Sequence, residues 1–418
     1  EEYEKNIKIT GLENKKIKGD IFETLRYYLK KFNYLNGCPK LTPFTGGAVG
    51  FFSYDISKRI ETIKQFTVRD TEFPDAFFIF PKKILISDNF KEKVFFITLK
   101  DNKAEDSLIE IKKWLEKSEK EESDLIYDYD NEEFPSFNPR IKAILSKKRY
   151  SDMVRKAIDY IFAGDIYQVN LSQRFEVEAD IEPFEIFKRL RKINPSPFGG
   201  FIKFEKFSLI SSSPERLVRL EGDRVETRPI AGTRPKGETD AERARLREEL
   251  RLDPKERAEH VMLVDLERND LGRVCEYGTV RVDELMTLEE YSHVIHIVSN
   301  IQGALKKGKD ALDLIKAVFP GGTITGCPKV RCMEIIEELE PVSRGPYTGS
   351  MGYIGFDGDM DMNIIIRTIA HKGKKYYAQA GSGIVADSIP EREYYESLKK
   401  AEAMLKALNY KGSIRWKI

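Results

Sequence analysis

GSMGYIGFDGDMDMNIIIRTIAHKGKKYYAQAGSG, residues Gly349 to Gly383, is the stretch that decides the fold. It holds three strand-like runs in close succession: Gly349 to Phe356, Met362 to Ile369 and Lys375 to Ala380. They are rich in apolar and aromatic side chains and are separated only by short, Gly-containing connections. Such links are too short for the crossover that joins parallel strands, so neighbouring runs are expected to pair antiparallel. Further strands fit Ile166 to Val177, Gly200 to Phe204, Ser208 to Ser213, Arg216 to Leu220 and a segment around Val294 to Asn300. Helical patterns cover Tyr150 to Ala163 (stopped by Gly164), Asp240 to Arg251, Pro254 to Asp270, Ala311 to Val318, Lys329 to Glu340 and Pro390 to Leu408. Adjacent antiparallel strands interleaved with helices predict an α+β fold with large sheets, not a doubly wound parallel sheet.

The first hundred residues read as mixed α/β. A helix over Asp20 to Phe32 precedes strands at Ala48 to Tyr54, Ala76 to Phe80 and Lys93 to Leu99, and a charged helix covers 104–121. Residues Glu121 to Pro139 are acidic and carry two prolines, which marks a linker. The expected organisation is a region over 1–125 and a denser one over 147–408. The sequence begins without Met, so its natural start is expected to lie upstream.

At 418 residues the chain can bury a large core. Lys plus Arg (70) nearly cancel Asp plus Glu (69), so no global field favours nucleic acid or an anionic membrane. Cys38, Cys275, Cys327 and Cys332 lack CxxC spacing, which argues against a zinc site or disulfide framework. No apolar run reaches the ~18 residues of a spanning helix, and no secretory h-region is present, so a cytoplasmic location is expected. Neither GxGxxG after a strand nor GxxxxGK[ST] occurs, which removes the usual nucleotide-cofactor signatures.

Several segments carry chemistry. PGGTITGCPKVRCMEII, Pro320 to Ile336, is a Gly- and Pro-rich loop running into a helix, suited to surrounding a small anion with backbone NH groups and hydroxyls. Glu256 and Glu259 stand three apart on one predicted helix, and Glu393 and Glu396 repeat the spacing on another. Four carboxylates on two helices suit a hard cation such as Mg²⁺; in a chain one-third charged they suit solvated surface equally well. Lys400, one turn beyond Glu396, fits an ion pair or a substrate carboxylate. His296, in the apolar run Val294 to Val298, reads as a structural ring or as a general acid or base. Arg367 interrupts an apolar strand and needs an anion, supplied by substrate or by a structural ion pair. Ala380-Gly381-Ser382-Gly383 reads as a strand end, either a plain turn or a cluster of NH groups facing a carboxylate. Glu267-Arg268-Asn269-Asp270 reads as a helix-end network with a structural role. Together these residues describe a Mg²⁺-assisted enzyme for a small substrate bearing carboxylates.

The motifs GDIYQVNLS (Gly164 to Ser172), SSSPERL (Ser211 to Leu217), RPIAGTRP (Arg228 to Pro235), AEHVMLVDLERNDLG, HIVS, PGGTITGCPK, GPYTG, IIRT and AGSGIVADS resemble those of the chorismate-utilising enzymes. The similarity is closest to anthranilate synthase component I and aminodeoxychorismate synthase component I. It is strong over Lys147 to Leu408 and weaker earlier, through PFTGGAVGFFSYD. The resemblance implies a large two-sheet α/β sandwich, Mg²⁺ and chorismate. Glu259 and Glu396 would bind Mg²⁺, supported by Glu256 and Glu393. Arg367 and Tyr347 would hold the enolpyruvyl carboxylate; Gly381, Ser382, Gly383 and Lys400 would face the ring carboxylate. His296 would assist loss of the hydroxyl or of pyruvate, and Thr323 would touch the substrate.

Three positions narrow the implied reaction. Gln168 stands where water-adding isochorismate and salicylate synthases carry a Lys base, which favours ammonia as nucleophile. Ala231 stands where aminodeoxychorismate synthases usually carry a nucleophilic Lys, and a methyl group cannot attack. Thr323 fits the anthranilate branch. Against these, PGG-ITGCPKVR, GDIYQVNLSQRF, SSSPERL and the Phe198-Gly199 after NPSP look more like the aminodeoxychorismate branch. The reading is an anthranilate synthase component I drawing ammonia from a separate glutamine amidotransferase subunit, with aminodeoxychorismate synthase as the alternative. An isochorismate synthase or a non-catalytic chorismate-binding subunit ranks lower.

Overall fold

A computed structural model describes residues 6–11, 13–32, 40–98, 109–117, 140–290 and 294–408. Two compact units emerge: Glu1–Val49 with Ile79–Phe137 and Gly355–Asp357, and Gly50–Phe78 with Asn138–Ile354 and Gly358–Ile418. The expected linker at 121–139 and Cys38 lie outside the described residues.

In the first unit, strands Asn6–Ile9 and Lys15–Lys18 pair antiparallel. Helix Ile21–Lys31 starts at Asp20, whose carboxylate accepts from Phe22 N at 2.6 Å. Its Tyr28 packs against Phe32 and Phe80, and Phe80 stacks on Phe356. Strands Lys83–Asp88 and Lys93–Thr98 form a second hairpin, and the charged helix is described over 109–117.

The second unit carries the two-sheet sandwich, whose strands pair antiparallel from Gly326–Cys327 to Phe198–Lys203 in one sheet and from Ile230–Pro235 to Ser350–Gly355 in the other. One sheet runs in the order Gly326–Cys327, Gln168–Glu178, Lys375–Ile384, Thr368–Lys372, Phe207–Ser213, Phe198–Lys203. The other runs Ile230–Pro235, Val294–Ala304, Arg224–Thr227, Arg216–Glu221, Met360–Ile364, Ser350–Gly355, with residues 50–52 and 76–78 beyond. Helix Lys147–Phe162 shows how the faces are covered. Tyr150, Met153, Val154 and Ala157 repeat at helical spacing and pack on Val169, Leu171, Ile335, Ile336 and Ile384. Ser146 caps it, accepting from Arg149 N at 3.3 Å.

The expected strand Met362 to Ile369 does not exist as one element. Met360–Ile364 belongs to one sheet and Thr368–Lys372 to the other, and residues 365–367 carry the chain between them. Arg367 sits in the left-handed region at φ 51°, which turns the chain. A second crossing, Ser213 to Glu215, joins Phe207–Ser213 to Arg216–Glu221. The two crossings are bonded to each other. Ser213 Oγ donates to Ile364 O at 2.6 Å, Ile364 N to Glu215 O at 3.0 Å, and Ser212 N to Arg367 O at 3.1 Å. Glu215 and Arg367 thus leave the sandwich at neighbouring points.

Candidate active site

Two helices bring the paired carboxylates inward. Helix Pro254–Gly272 begins at Asp253, which accepts from Lys255 N and Glu256 N, with Pro254 in the first turn. Helix Pro390–Ala407 also begins with Pro. On the first, Glu259 Oε1 accepts from Gln168 Nε2 at 2.7 Å. Its carboxyl pKa is raised, first by burial and then by the charges of Glu256 and Glu396. Glu256 pairs with Arg234 at 3.0 Å. On the second helix, burial and the Glu396 charge raise the Glu393 pKa, and Glu393 Oε2 is buried without a hydrogen-bond partner. Glu396 is half-exposed; its pKa is lowered chiefly by Lys400, whose Nζ lies 2.7 Å away. The charge of Lys400 acts on Glu215, Glu259, Glu393 and Glu396 alike.

Among the described residues no three His, Cys, Asp or Glu side chains already converge as a finished metal cage. The donor chemistry fits a hard cation all the same. Four carboxylates face one region, two hold raised pKa values through burial and mutual repulsion, and one buried carboxylate oxygen lacks a partner.

Arg367 donates Nη1 to the Lys400 carbonyl and senses Tyr347 and Glu396. Among the described residues no carboxylate pairs with it. The Tyr347 phenol is buried, and its ring faces the Arg344 guanidinium. Burial also lowers the His296 pKa. His296 Nδ1 lies 3.1 Å from Gly232 O and 3.0 Å from Thr233 Oγ1. A carbonyl only accepts, so Nδ1 carries the proton and the neutral ring keeps its lone pair on Nε2. Gly232 stands at a β-bulge with φ 66°, next to Ala231, whose methyl is buried opposite Ile297.

The segment Ala380 to Gly383 does not end a strand, as the sequence suggested. The strand continues to Ile384, with Gly381, Ser382 and Gly383 opposite Ser172, Leu171 and Asn170. Its other neighbour pairs only as far as Ala378, so one edge of these residues is released from the sheet. A Cβ at Gly383 would lie 2.5 Å from Gln168 Nε2 and 3.7 Å from Glu259 Oε1. Ser382 Oγ is 3.1 Å from the Tyr150 hydroxyl, a structural contact.

One residue escaped the sequence reading. Glu215 is buried at the crossing Ser213 to Glu215, and burial pushes its carboxyl up to about 7. Thr323 approaches it from the Pro320 loop, but neither Glu215 Oε1 nor Thr323 Oγ1 closes a hydrogen bond. Its only signal in the sequence was a carboxylate inside the otherwise uncharged run SSSPE.

A family model described as chorismate binding enzyme matches residues 2–406. The chain belongs to the chorismate-binding enzyme family. Relatives in it include aminodeoxychorismate synthase component 1 of Bacillus subtilis, 48% identical over 87% of this chain and 77% of that protein. Anthranilate synthase component 1 of Acetivibrio thermocellus is 44% identical over 96% of this chain and 82% of its own length. The crystal structure of anthranilate synthase component I from Streptococcus pneumoniae superposes with a TM-score of 0.83 at 36% identity, covering 94% of this chain and 86% of that one. The α+β sandwich is thus the fold of the chorismate-binding enzymes. Among the described residues no helix is long and apolar enough to cross a membrane.

Proposed function

We propose that this chain is the synthase component that aminates chorismate with ammonia and eliminates pyruvate to give anthranilate. The observation that carries the reading is Arg367. Among the described residues no carboxylate pairs with its guanidinium, which is held beside Tyr347, Lys400 and the paired glutamates. It suits a substrate carboxylate in bidentate contact.

Glu215 holds its proton near neutral pH and donates it to the departing C4 hydroxyl. Gln168 keeps Nε2 on Glu259, while its Oε1 is buried without a partner and can accept an N–H from ammonia. An amide cannot deprotonate water, so a nucleophile that needs no base suits this position. His296, neutral and fixed through Nδ1, takes up a proton at Nε2 as pyruvate leaves. Glu259 and Glu396, with Glu256 and Glu393 behind them, would hold Mg²⁺, which as a Lewis acid would polarise the ring carboxylate side of the substrate. Thr323 and the Gly381 to Gly383 edge enclose the ring. Ala231 offers no amine for a covalent intermediate, which supports direct amination at C2.

Ammonia comes from a separate glutamine amidotransferase subunit. Burial raises the thiol pKa of Cys275, Cys327 and Cys332, so none is primed to attack glutamine. The complex works in the cytoplasm. Aminodeoxychorismate synthase is the second reading, favoured by the 48% identity to the Bacillus subtilis protein of that name. Purified chain, chorismate, Mg²⁺ and ammonium should yield anthranilate and pyruvate. Aminodeoxychorismate without pyruvate would establish the second reading, and no turnover at high ammonium would defeat both.

A further inference from the structure

Behind Glu215 lies a second buried carboxyl that the mechanism above does not use. Glu267 projects from helix Pro254–Gly272 and is 8% exposed. Among the described residues no Lys, Arg or His reaches it within ion-pair distance. Lys329 bonds instead to Asp270 Oδ2 and, at 2.9 Å, to Val318 O.

The partner of Glu267 is Thr227. Its Oγ1 is 2.5 Å from Glu267 Oε2 and 3.0 Å from the Leu217 carbonyl. A hydroxyl has one hydrogen to give. Leu217 sits at a register shift, between the Arg216–Asn363 and Val218–Met362 pairs, so the ladder with Met360–Ile364 skips it. Its carbonyl accepts from Thr227 and can only accept, whereas a protonated carboxyl can donate. The threonine hydrogen therefore goes to Leu217, and the hydrogen in the short Thr227–Glu267 contact must come from Glu267. The chain of donors ends two residues after Glu215.

We propose that Glu267 is a positioning residue for Glu215. As a neutral acid it donates to Thr227, which donates to Leu217 and fixes the bulge from which Glu215 enters the site. The inference rests on the acid role of Glu215 given above. A small cavity, with room for about one water, adjoins Thr227, Glu267, Asp270, Gly321 and Gly322, so the same acid also backs the loop that carries Thr323.

The surroundings keep the proton in place. Burial, then the charges of Glu215 and Asp270, push the Glu267 carboxyl up to about 8, against the opposing effects of Thr227 and Lys329. Above that pH the threonine hydrogen turns to the new carboxylate. Leu217 then loses its donor, and a buried anion stands near Glu215.

The test compares wild type, E267Q, E267A and T227V in kcat/KM for chorismate with ammonium, and in Tm, from pH 5 to 9. A Gln amide donates to Thr227 at every pH. E267Q should therefore restore kcat/KM at pH 7 to within about threefold of wild type, while E267A and T227V lose about tenfold. Wild type should lose activity in two steps above neutrality, and E267Q in one. A carboxyl raised in the folded state destabilises the fold as pH climbs from its unfolded value through its folded one. The Tm of E267Q minus that of wild type should hence grow between about pH 5 and pH 8, then level off. Parallel pH profiles for wild type and E267Q, in both Tm and activity, would overturn the proposal. If no variant turned over chorismate, the functional reading would fail, and the Tm comparison would still report whether Glu267 holds a proton.

Discussion

The Gln168 amide donates to the Glu259 carboxylate across 2.7 Å, and Gly383 provides the space in which they meet. The three residues come from two strands of one sheet and from helix Pro254–Gly272. The contact fixes Gln168 Nε2 and leaves its Oε1 buried without a hydrogen-bond partner. Gln168→Leu removes an uncharged donor to a partly buried carboxylate whose other neighbours include Glu256 and Glu396. It should cost about 1–2 kcal/mol of stability and at least about tenfold in kcat/KM. Denaturant unfolding beside ammonium-dependent turnover measures both, and an unchanged kcat/KM would remove Gln168 from the site.

Glu259 carries charge repulsion in the metal-free protein, because burial, Glu256 and Glu396 all oppose its ionisation. Glu259→Gln should therefore leave Tm equal or higher without Mg²⁺ and abolish Mg²⁺-dependent turnover. Near-normal activity at saturating Mg²⁺ would exclude Glu259 as a metal ligand.

Gly383 and Gly381 predict opposite kinds of damage. A methyl at 383 meets the flexible end of Gln168, so Gly383→Ala should fold and lose activity. A methyl at 381 would lie 2.3 Å from the Leu171 carbonyl, so Gly381→Ala should disturb the ladder itself. Tm and kcat measured side by side separate the two.

Arg367 pairs function with strain. Its φ of 51° costs about 1–2 kcal/mol for a residue with a Cβ, and Asn tolerates that region better. Arg367→Asn should hold or raise Tm while raising the KM for chorismate about a hundredfold. A Tm loss with unchanged KM would make the arginine structural.

Glu215 predicts an alkaline limb. As the acid with a pKa of about 7, it should make kcat/KM fall above neutrality, and Glu215→Gln should abolish turnover. Its folded pKa lies above the ordinary carboxyl value of 4.5, so ionisation favours the unfolded chain from about pH 5 upward. At pH 8 the Gln variant should be the more stable by about 3 kcal/mol. Equal stabilities at pH 8 would mean that the carboxyl is not held neutral.

Much of the fold was legible because it rests on local pattern. The face Tyr150, Met153, Val154, Ala157 repeats every three to four residues, and that period alone predicts a helix with one buried side. The same reasoning placed Glu256 with Glu259, and Glu393 with Glu396, on common helix faces. It failed at Met362 to Ile369. Apolar residues continue through both ends of a sheet crossing, and the charge of Arg367, the residue that turns, reads in sequence as a strand position awaiting an anion, not as a turn.

The sequence by itself determined many of the helices and strands, the antiparallel class and, through its ordered motifs, membership among the chorismate-binding enzymes. Only the tertiary structure decided what the charges do. It bonded the Glu215 and Arg367 crossings together, set Gln168 on Glu259, and, among the described residues, left Arg367 without a carboxylate. It also placed Thr227 between Leu217 and Glu267. A carboxyl's proton affinity depends on burial and on charges that residues far apart in sequence bring within a few ångströms. Periodicity reports which face of an element is covered, and the pairing of elements decides what covers it.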